Sequence, residues 1–265
     1  MKKYIPTEFV FQLASLLIAV IVVHAFYVAV VRPNADAIIE ERQIQIEENP
    51  NYVPERSFFV VIRDFEQEVC FVLMLWALSI LGYKAYAASL ERALLQQDLV
   101  HIAEGMRILP EDTREYARQI QALPDGKKGM LLPRVLLSAL QRFGATRNVQ
   151  DGSSSAHTLV ESEAERLESE LSMIRYIAWA IPSIGFIGTV RGIGAALAQA
   201  HRAVEGDISG VTQNLGVAFN STFIALLLSI VLMFLVHQLQ LLQERLVFET
   251  ESYTDDHLIR HLQSG

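Results

Sequence analysis

Two long apolar runs in the second half of the chain constrain its fold most strongly. They span roughly residues 173–200 and 211–236, and each is long enough for the ~20 residues that a helix needs to cross a bilayer. A polar segment bracketed by Gly206 and Gly210 lies between them. Because glycine and polar residues favour a chain reversal, the sequence predicts a transmembrane helical hairpin.

The first helix of this hairpin carries a stripe of small residues at three- and four-residue spacings. The stripe consists of Gly185, Gly188, Gly192 and Ala196. Residues at these spacings share one face of a helix, and small side chains let another backbone approach closely within a membrane. The stripe, with Ala225 on the second helix, therefore predicts a helix-packing surface.

The hairpin also contains polar side chains inside its apolar runs. These are Thr189 on the first helix and Asn220, Ser221, Thr222 and Ser229 on the second. A single Ser or Thr in a membrane helix usually bonds back to its own backbone carbonyl. Thr189 and Thr222, however, belong to polar clusters and fall at similar depths of two antiparallel helices, so we expect a shared polar layer inside a bundle.

Two motifs carry a resemblance to a known family. GFIGTVRGI (residues 185–193) and LGVAFNSTFIALLLS (residues 215–229) resemble the paired helices of the MotA/TolQ/ExbB proton-channel family. The resemblance is close over the hairpin and extends to the rest of the chain only in layout. It implies a homopentamer around a dimer of a single-span partner, similar to MotB, TolR or ExbD, whose transmembrane helix carries an essential aspartate.

The resemblance also implies roles for the polar residues of the hairpin. Thr222 and Thr189 match the family positions that line the ion path beside the partner's aspartate, and Ser221, Asn220 and Ser229 are assigned to the same path. A hydroxyl can donate and accept hydrogen bonds, so it can serve either protonation state of a carboxylate. The small-residue surface is expected to face the pore. The lack of further acidic ligands favours H⁺ over Na⁺, and no bound cofactor is expected.

Two positions depart from the family pattern. Val217 stands where relatives commonly carry a glutamate, and Arg191 stands where an aromatic residue is common. An arginine within a span is costly unless it is paired, hydrated or able to reach the headgroups. Arg191 is therefore expected to line a water-filled vestibule, to contact a neighbouring subunit or the partner, or to extend to the lipid headgroups.

Two further spans precede the hairpin. Residues 9–31 form an apolar run, and residues 69–83 form a shorter one, extended by Lys84 and Tyr86, whose long side chains can reach the interface. We interpret His24 as a packed or interfacial residue because no carboxylate lies within one helical turn of it. The expected fold is an all-α polytopic protein with four spans, divided as residues 1–88, 89–172, 173–238 and 239–265.

Charge orients these spans. The twelve Lys/Arg of residues 84–175 join Lys2 and Lys3 on one side, whereas the acidic segment 32–68 and the loop 201–210 lie on the other. Because cytoplasmic loops carry excess Lys and Arg, the sequence predicts a bacterial inner-membrane protein with both termini in the cytoplasm. The net charge of −8 argues against a nucleic-acid partner.

The segment between the second and third spans is amphipathic, with expected helix breaks at residues 109–110, 124–126 and 151–155. After the last break, a charged helix with solvated glutamates should run without interruption into the third span. The fourth helix should continue past residue 236 as an amphipathic rod.

The sequence contains no nucleotide, metal or nucleophile constellation, so we do not expect an enzyme. The predicted spans also lack Asp and Glu near middle depth, although a proton crossing a bilayer generally needs a titratable group there. Two hypotheses follow. The chain is either a subunit of a proton-driven motor or stator that needs a partner's carboxylate, or a non-conducting oligomeric membrane scaffold.

Overall fold

A computed structural model describes residues 7–49, 52, 55–100, 102 and 106–264. Within these residues the regular elements are helices, and the backbone pairing between Ile108 and Leu262 is an isolated bridge rather than a strand. The predicted all-α class is confirmed. Lys2 and Lys3, which contribute to the predicted orientation, lie outside the described residues.

The N-terminal helices form one nearly continuous rod. α1 covers Thr7–Phe26, a π-helical turn covers Tyr27–Val31, and α2 covers Arg32–Glu48. Proline in the first turn of α2 is tolerated because the amide nitrogens there need no helical partner. The first predicted span therefore continues as a helix into the acidic segment, and a short α3 follows at Phe58–Val61.

The middle of the chain contains one long helix and four shorter ones. They are α4 (Phe65–Leu94), α5 (Thr113–Gln121), α6 (Asp125–Lys128), α7 (Leu131–Thr146) and α8 (Val149–Glu170). The break predicted at residues 109–110 coincides with non-helical backbone. The break predicted at residues 124–126 is wrong in part, because only Pro124 is non-helical and α6 begins at Asp125.

The last third of the chain contains the hairpin. Its helices are α9 (Ser172–Ala198), the short α10 (Ala200–Val204) and α11 (Ser209–His257), followed by a 3₁₀ turn at Ile259–His261. α11 continues well past residue 236, as the sequence predicts. Leu239 and Leu246 on this extension are buried, which is the pattern of an amphipathic rod.

Four helical stretches are long and apolar enough to cross a membrane. They are Glu8–Glu48, Phe65–Leu94, Val149–Ala198 and Ser209–His261. At most 33% of the residues in the apolar window of each stretch are buried within the chain. The remaining apolar surface is available to lipid or to other subunits, and the predicted four-span layout is confirmed.

The predicted break at residues 151–155 is wrong, because these residues lie inside α8. The helix begins instead after Asn148, whose side chain accepts a hydrogen bond from the amide of Gln150 at 3.0 Å. Gly152 faces α7, where an added Cβ would lie 3.2 Å from the Cβ of Phe143. The glycine and serine cluster therefore serves close helix packing and not a turn.

The predicted continuation of the charged helix into the third span is confirmed, since only Leu171 lies between α8 and α9 and Val149–Ala198 forms one helical stretch. Two other expectations for this segment need correction. Glu163 is buried and not solvated, and it accepts hydrogen bonds from Arg134 at 3.1 Å and from Arg166. Lys84 does not extend to an interface: it is buried, and its Nζ lies 2.6 Å from a carboxylate oxygen of Glu170. The long-range ion pairs account for the last two differences.

The chain divides into two compact units, each with its own apolar core. The first comprises the described residues of Met1–Leu81 together with Met173–Val236, and its core includes Tyr27, Val31 and Ile224. The second comprises the described residues of 82–172 and 237–264. Its core is built mainly by one face of α7 and is completed by residues from α5, α8 and the C-terminal segment.

Candidate functional site

The two helices of the hairpin approach each other closely through the small-residue stripe. A Cβ built on Gly185 would lie 2.4 Å from the Cβ of Ala225, and a Cβ on Gly192 would lie 2.7 Å from the backbone nitrogen of Ala218. Real Cβ atoms do not occupy such positions without displacement of the neighbour. The glycines therefore set the separation between α9 and α11. Ala196 is also buried.

Gly188 lies where three helices meet. A Cβ at this position would be 2.6 Å from Ser221 Oγ of α11 and 3.2 Å from Glu66 Cγ of α4. The small-residue surface thus packs against helices of the same chain at these positions.

Thr189 and Thr222 form a pair of hydroxyl groups between α9 and α11. Their Oγ1 atoms are in direct hydrogen-bond contact. Thr189 Oγ1 can also donate to the carbonyl of Ala218 at 3.0 Å, and Thr222 Oγ1 can donate to the carbonyl of Gly185 at 3.2 Å. The strongest contacts of both threonines therefore cross between helices, and the contact of Thr189 with a carbonyl of its own helix is longer, at 3.4 Å.

The hydroxyl pair has more acceptors than protons. Each hydroxyl carries one proton and two lone pairs, so two protons are shared among two carbonyl oxygens and the two hydroxyl oxygens. Both side chains are only partly buried. The pair can therefore switch donors without moving its backbone and can offer a donor or an acceptor to a group beside it.

The other polar residues of the predicted path occupy different environments. Ser221 is buried, and its hydroxyl donates to the carbonyl of Val217 at 2.9 Å. Ser229 donates to the carbonyl of Ala178 on α9 at 3.0 Å. Asn220 instead lines a cavity of about 400 Å³ that is bordered by α2 and α11. The hairpin thus brings Thr189, Thr222 and Ser221 together, whereas Ser229 and Asn220 lie apart from them.

The hairpin lies within the part of the chain that matches a known family. The model of the MotA/TolQ/ExbB proton channel family matches residues 129–252. This segment belongs to the MotA/TolQ/ExbB family. The predicted resemblance is therefore confirmed over these residues, and together with the four apolar helical stretches it points to a membrane protein. No curated protein and no solved structure gives a significant match to the chain.

Arg191, which departs from the MotA/TolQ/ExbB pattern, pairs with a carboxylate of its own chain. Its Nε and Nη2 donate to the two oxygens of Glu66 at 2.6 and 2.8 Å, and Asp64 lies 3.9 Å away. Glu66 is buried, whereas about half of the Arg191 side chain is exposed. A bidentate pair of this kind neutralises a carboxylate that would otherwise be costly to bury.

A second buried carboxylate, that of Glu68, lies two residues after Glu66 in α4, outside the residues that match the MotA/TolQ/ExbB model. Glu68, also buried, accepts a hydrogen bond from Arg32 at 2.5 Å, and its other oxygen lies 2.7 Å from His24 Nδ1. This contact lies outside the one-turn window that was used to interpret His24, because its partner is 44 residues away in the sequence. Helical periodicity gives no signal for a pairing between α1 and α4.

Burial also affects Asp64, which precedes α4. Desolvation raises the pKa of Asp64, and the nearby charges of Arg191 and Arg63 oppose that increase. Together with Glu66 and Glu68, this residue gives the start of α4 three carboxyl groups in a partly buried setting. Each is compensated by a cation from another part of the first unit.

Proposed function

We propose that this chain is a subunit of a proton-driven motor or stator in the bacterial inner membrane. Several copies, expected to be five, would surround two copies of a single-span partner similar to MotB, TolR or ExbD. The partner's transmembrane helix would carry the aspartate that accepts and releases the proton. We propose no enzymatic activity and no bound cofactor.

The threonine pair carries this proposal. Thr189 and Thr222 place two hydroxyls between apolar helices at a level where the described part of the hairpin has no carboxylate of its own. Such a pair can hydrogen-bond an ionised carboxylate as a donor and a protonated one as an acceptor. The family match over residues 129–252 supports the same role.

The mechanism follows from the cost of burying a charge. Protonation of the partner's aspartate removes that cost, so the partner helix can move relative to the surrounding subunits. Loss of the proton on the other side restores the charge and with it the preference for a hydroxyl-lined site. Repetition of these steps around a ring would convert ion flow into rotation or force.

The proposed orientation places both termini in the cytoplasm. It is supported by the excess of Lys and Arg in residues 84–175 and by the acidic segment before α4. H⁺ is preferred over Na⁺ as the transported ion, because oxygen ligands for a cation are sparse along the described spans.

The test replaces Thr222 with valine, which keeps the shape of the side chain and removes the hydroxyl. The complex is purified through a tag on this chain, with whatever partner it retains, and proton uptake into proteoliposomes is measured with a trapped pH-sensitive dye. Thr212→Val is the matched control, because its hydroxyl is exposed and bonds only the first turn of α11. Thr222→Val should lower flux by about tenfold or more while the control keeps it, since one well-placed hydrogen bond is worth ~1–2 kcal/mol. Equal flux in all three proteins would refute the role of the pair.

A non-conducting membrane scaffold is the alternative. It would use the Gly/Ala faces for packing between subunits, but Gly185 and Gly192 already contact α11 of the same chain. The scaffold would be favoured if the purified complex took up no protons and if Thr222→Ala weakened the oligomer.

A further inference from the structure

We infer that Glu68, together with His24 and Gln67, forms a proton-transfer site at the start of α4 that supplies the threonine pair. The inference rests on the proposed function, because it assigns an entry point to the same ion path. It concerns residues outside the segment that matches the family model.

Glu68 lies between two nitrogen-bearing side chains, those of His24 and Arg32. His24 is largely exposed, with 60% of its side chain accessible, whereas Glu68 is 7% accessible. A neutral imidazole has one ring nitrogen that donates a hydrogen bond and one that accepts. His24 Nδ1 is therefore placed to pass a proton to a buried carboxylate 2.7 Å away.

Two buried polar atoms have no hydrogen-bond partner among the described residues. They are Gln67 Oε1 and the hydroxyl of Tyr27, and both residues are at most 1% exposed. Gln67 adjoins Glu68 in α4, and the Tyr27 ring packs against Phe71 of the same helix, with 6.3 Å between the ring centroids. Buried polar groups normally bind protein or water, so these atoms indicate a hydrated pocket beside Glu68.

The π-helical turn of the first rod shapes this pocket. Tyr27 and Val31 are its buried residues, and Arg32 follows directly after it. π-helical turns are frequent at functional sites because they change which side chains share a helix face. Because of this turn, three side chains of the first rod contact one region of α4: those of His24, Tyr27 and Arg32.

Polar side chains connect this pocket to the hairpin. Gln67 Nε2 lies 3.4 Å from Ser221 Oγ, and Ser221 precedes Thr222 in α11. Ser221 Oγ and Glu66 Cγ also approach the same point above Gly188. Polar groups therefore follow one another from the imidazole of His24 to the residue next to the threonine pair.

The proton balance of the step is simple. The N–H bond at His24 Nδ1 breaks, an O–H bond forms at Glu68 Oε1, and no electrons are exchanged. Arg32 keeps its charge and its contact with the other carboxylate oxygen of Glu68. The O–H bond at Glu68 then breaks as the proton passes to water in the hydrated pocket. The charges of Asp64 and of the Glu66–Arg191 ion pair lie near Glu68 and also influence this proton transfer.

The experiment uses the tagged full-length complex in proteoliposomes and compares three variants. Glu68→Gln removes the acceptor, and His24→Gln removes the exposed donor. Glu47→Gln is the matched control, because this glutamate is exposed on α2. Since a positioned acid–base group contributes ~10²–10⁴-fold to proton transfer, flux should fall at least about tenfold in the first two variants and stay unchanged in the control. Glu68→Asp, which retains a carboxylate, should recover part of the flux.

The outcomes separate this inference from the proposed function. If the unmodified complex takes up no protons, the proposed function fails. If it does, and Thr222→Val lowers flux while Glu68→Gln and His24→Gln do not, only the proton-transfer site is refuted. Size-exclusion chromatography checks that each variant assembles like the unmodified complex, and a loss of flux restored by Glu68→Asp supports the site independently of folding.

Discussion

The packing between α9 and α11 makes a sharp prediction about Gly185. An alanine at this position would bring its Cβ within 2.4 Å of the Cβ of Ala225, 3.1 Å of the carbonyl oxygen of Ser221 and 3.3 Å of the Cα of Thr222. The first contact cannot exist without displacement of one helix. Gly185→Ala should therefore separate the helices around the threonine pair.

The magnitude follows from two opposing effects. Adding a methyl group to a tightly packed site costs ~1–3 kcal/mol, whereas replacing glycine by alanine in a helix gains up to ~1 kcal/mol. Gly194 of the same helix has no atom within 4 Å of its built Cβ, so Gly194→Ala should show only the gain. We expect Gly185→Ala to be less stable than Gly194→Ala by ~1–3 kcal/mol.

A compensating change tests the geometry itself. Because the closest contact of Gly185→Ala is a side-chain atom, adding Ala225→Gly should restore most of the lost stability. At Gly192 the added Cβ would meet the backbone nitrogen of Ala218 at 2.7 Å and the carbonyl oxygen of Asn214 at 2.8 Å. Ala218→Gly leaves both of these atoms in place and should not rescue Gly192→Ala.

The measurement is denaturant unfolding of the full chain in detergent micelles, followed by circular dichroism. If Gly185→Ala and Gly194→Ala unfold at the same denaturant concentration, α9 and α11 do not pack as described. If Ala225→Gly fails to rescue Gly185→Ala, the steric explanation is wrong even if the variant is unstable.

Two predictions concern the second unit. Glu163→Gln should destabilise the protein by ~1–3 kcal/mol, because the buried carboxylate loses charged hydrogen bonds from two arginines. The control Glu165→Gln, on the exposed face, should change stability by less than ~0.5 kcal/mol. Equal midpoints of the two variants in denaturant unfolding would contradict this prediction. The hydrogen bond and charge of Glu251 raise the pKa of His157 above 6.5, so this contact stabilises the fold at low pH and its contribution is lost as the pH rises through the raised pKa. NMR titration should show this raised value and its return toward 6.5 in Glu251→Gln, and an unchanged value in that variant would exclude the contact.

The architecture was largely predictable from local patterns. Apolar runs of sufficient length locate the spans, since a helix in lipid must satisfy its own backbone hydrogen bonds. The spacing of Gly185, Gly188 and Gly192 places them on one face, and that face packs closely. The cross-helix contact of Thr189 with Thr222 was expected from their matching depths, because two antiparallel helices of known rise fix which residues face each other.

Local patterns failed where a residue's partner is distant in sequence. Glycine and serine at residues 151–155 favour a turn by composition, yet Gly152 lies against α7 and Ser155 Oγ lies 2.8 Å from Ser138 Oγ. Tertiary packing overrides the weak helix propensity of these residues. Glu163 shows the same limit, because periodicity alone does not show that two arginines surround it.

The placement of carboxylates explains why the conducting step should need another protein. In the described spans of the first unit, the buried carboxylates Glu66 and Glu68 lie in the first turn of α4, and cations bind both. The middle of the hairpin offers hydroxyls at Thr189 and Thr222 and no acid. A hydroxyl can stabilise a proton carrier but cannot store a proton at neutral pH, so the proposed conducting step requires a carrier from a second chain at this depth. The ion pairs of Arg191 with Glu66 and of Arg32 with Glu68 neutralise these two buried carboxylates within the chain. Under the proposed function, the long-lived protonated state that permits movement therefore belongs to the partner's aspartate.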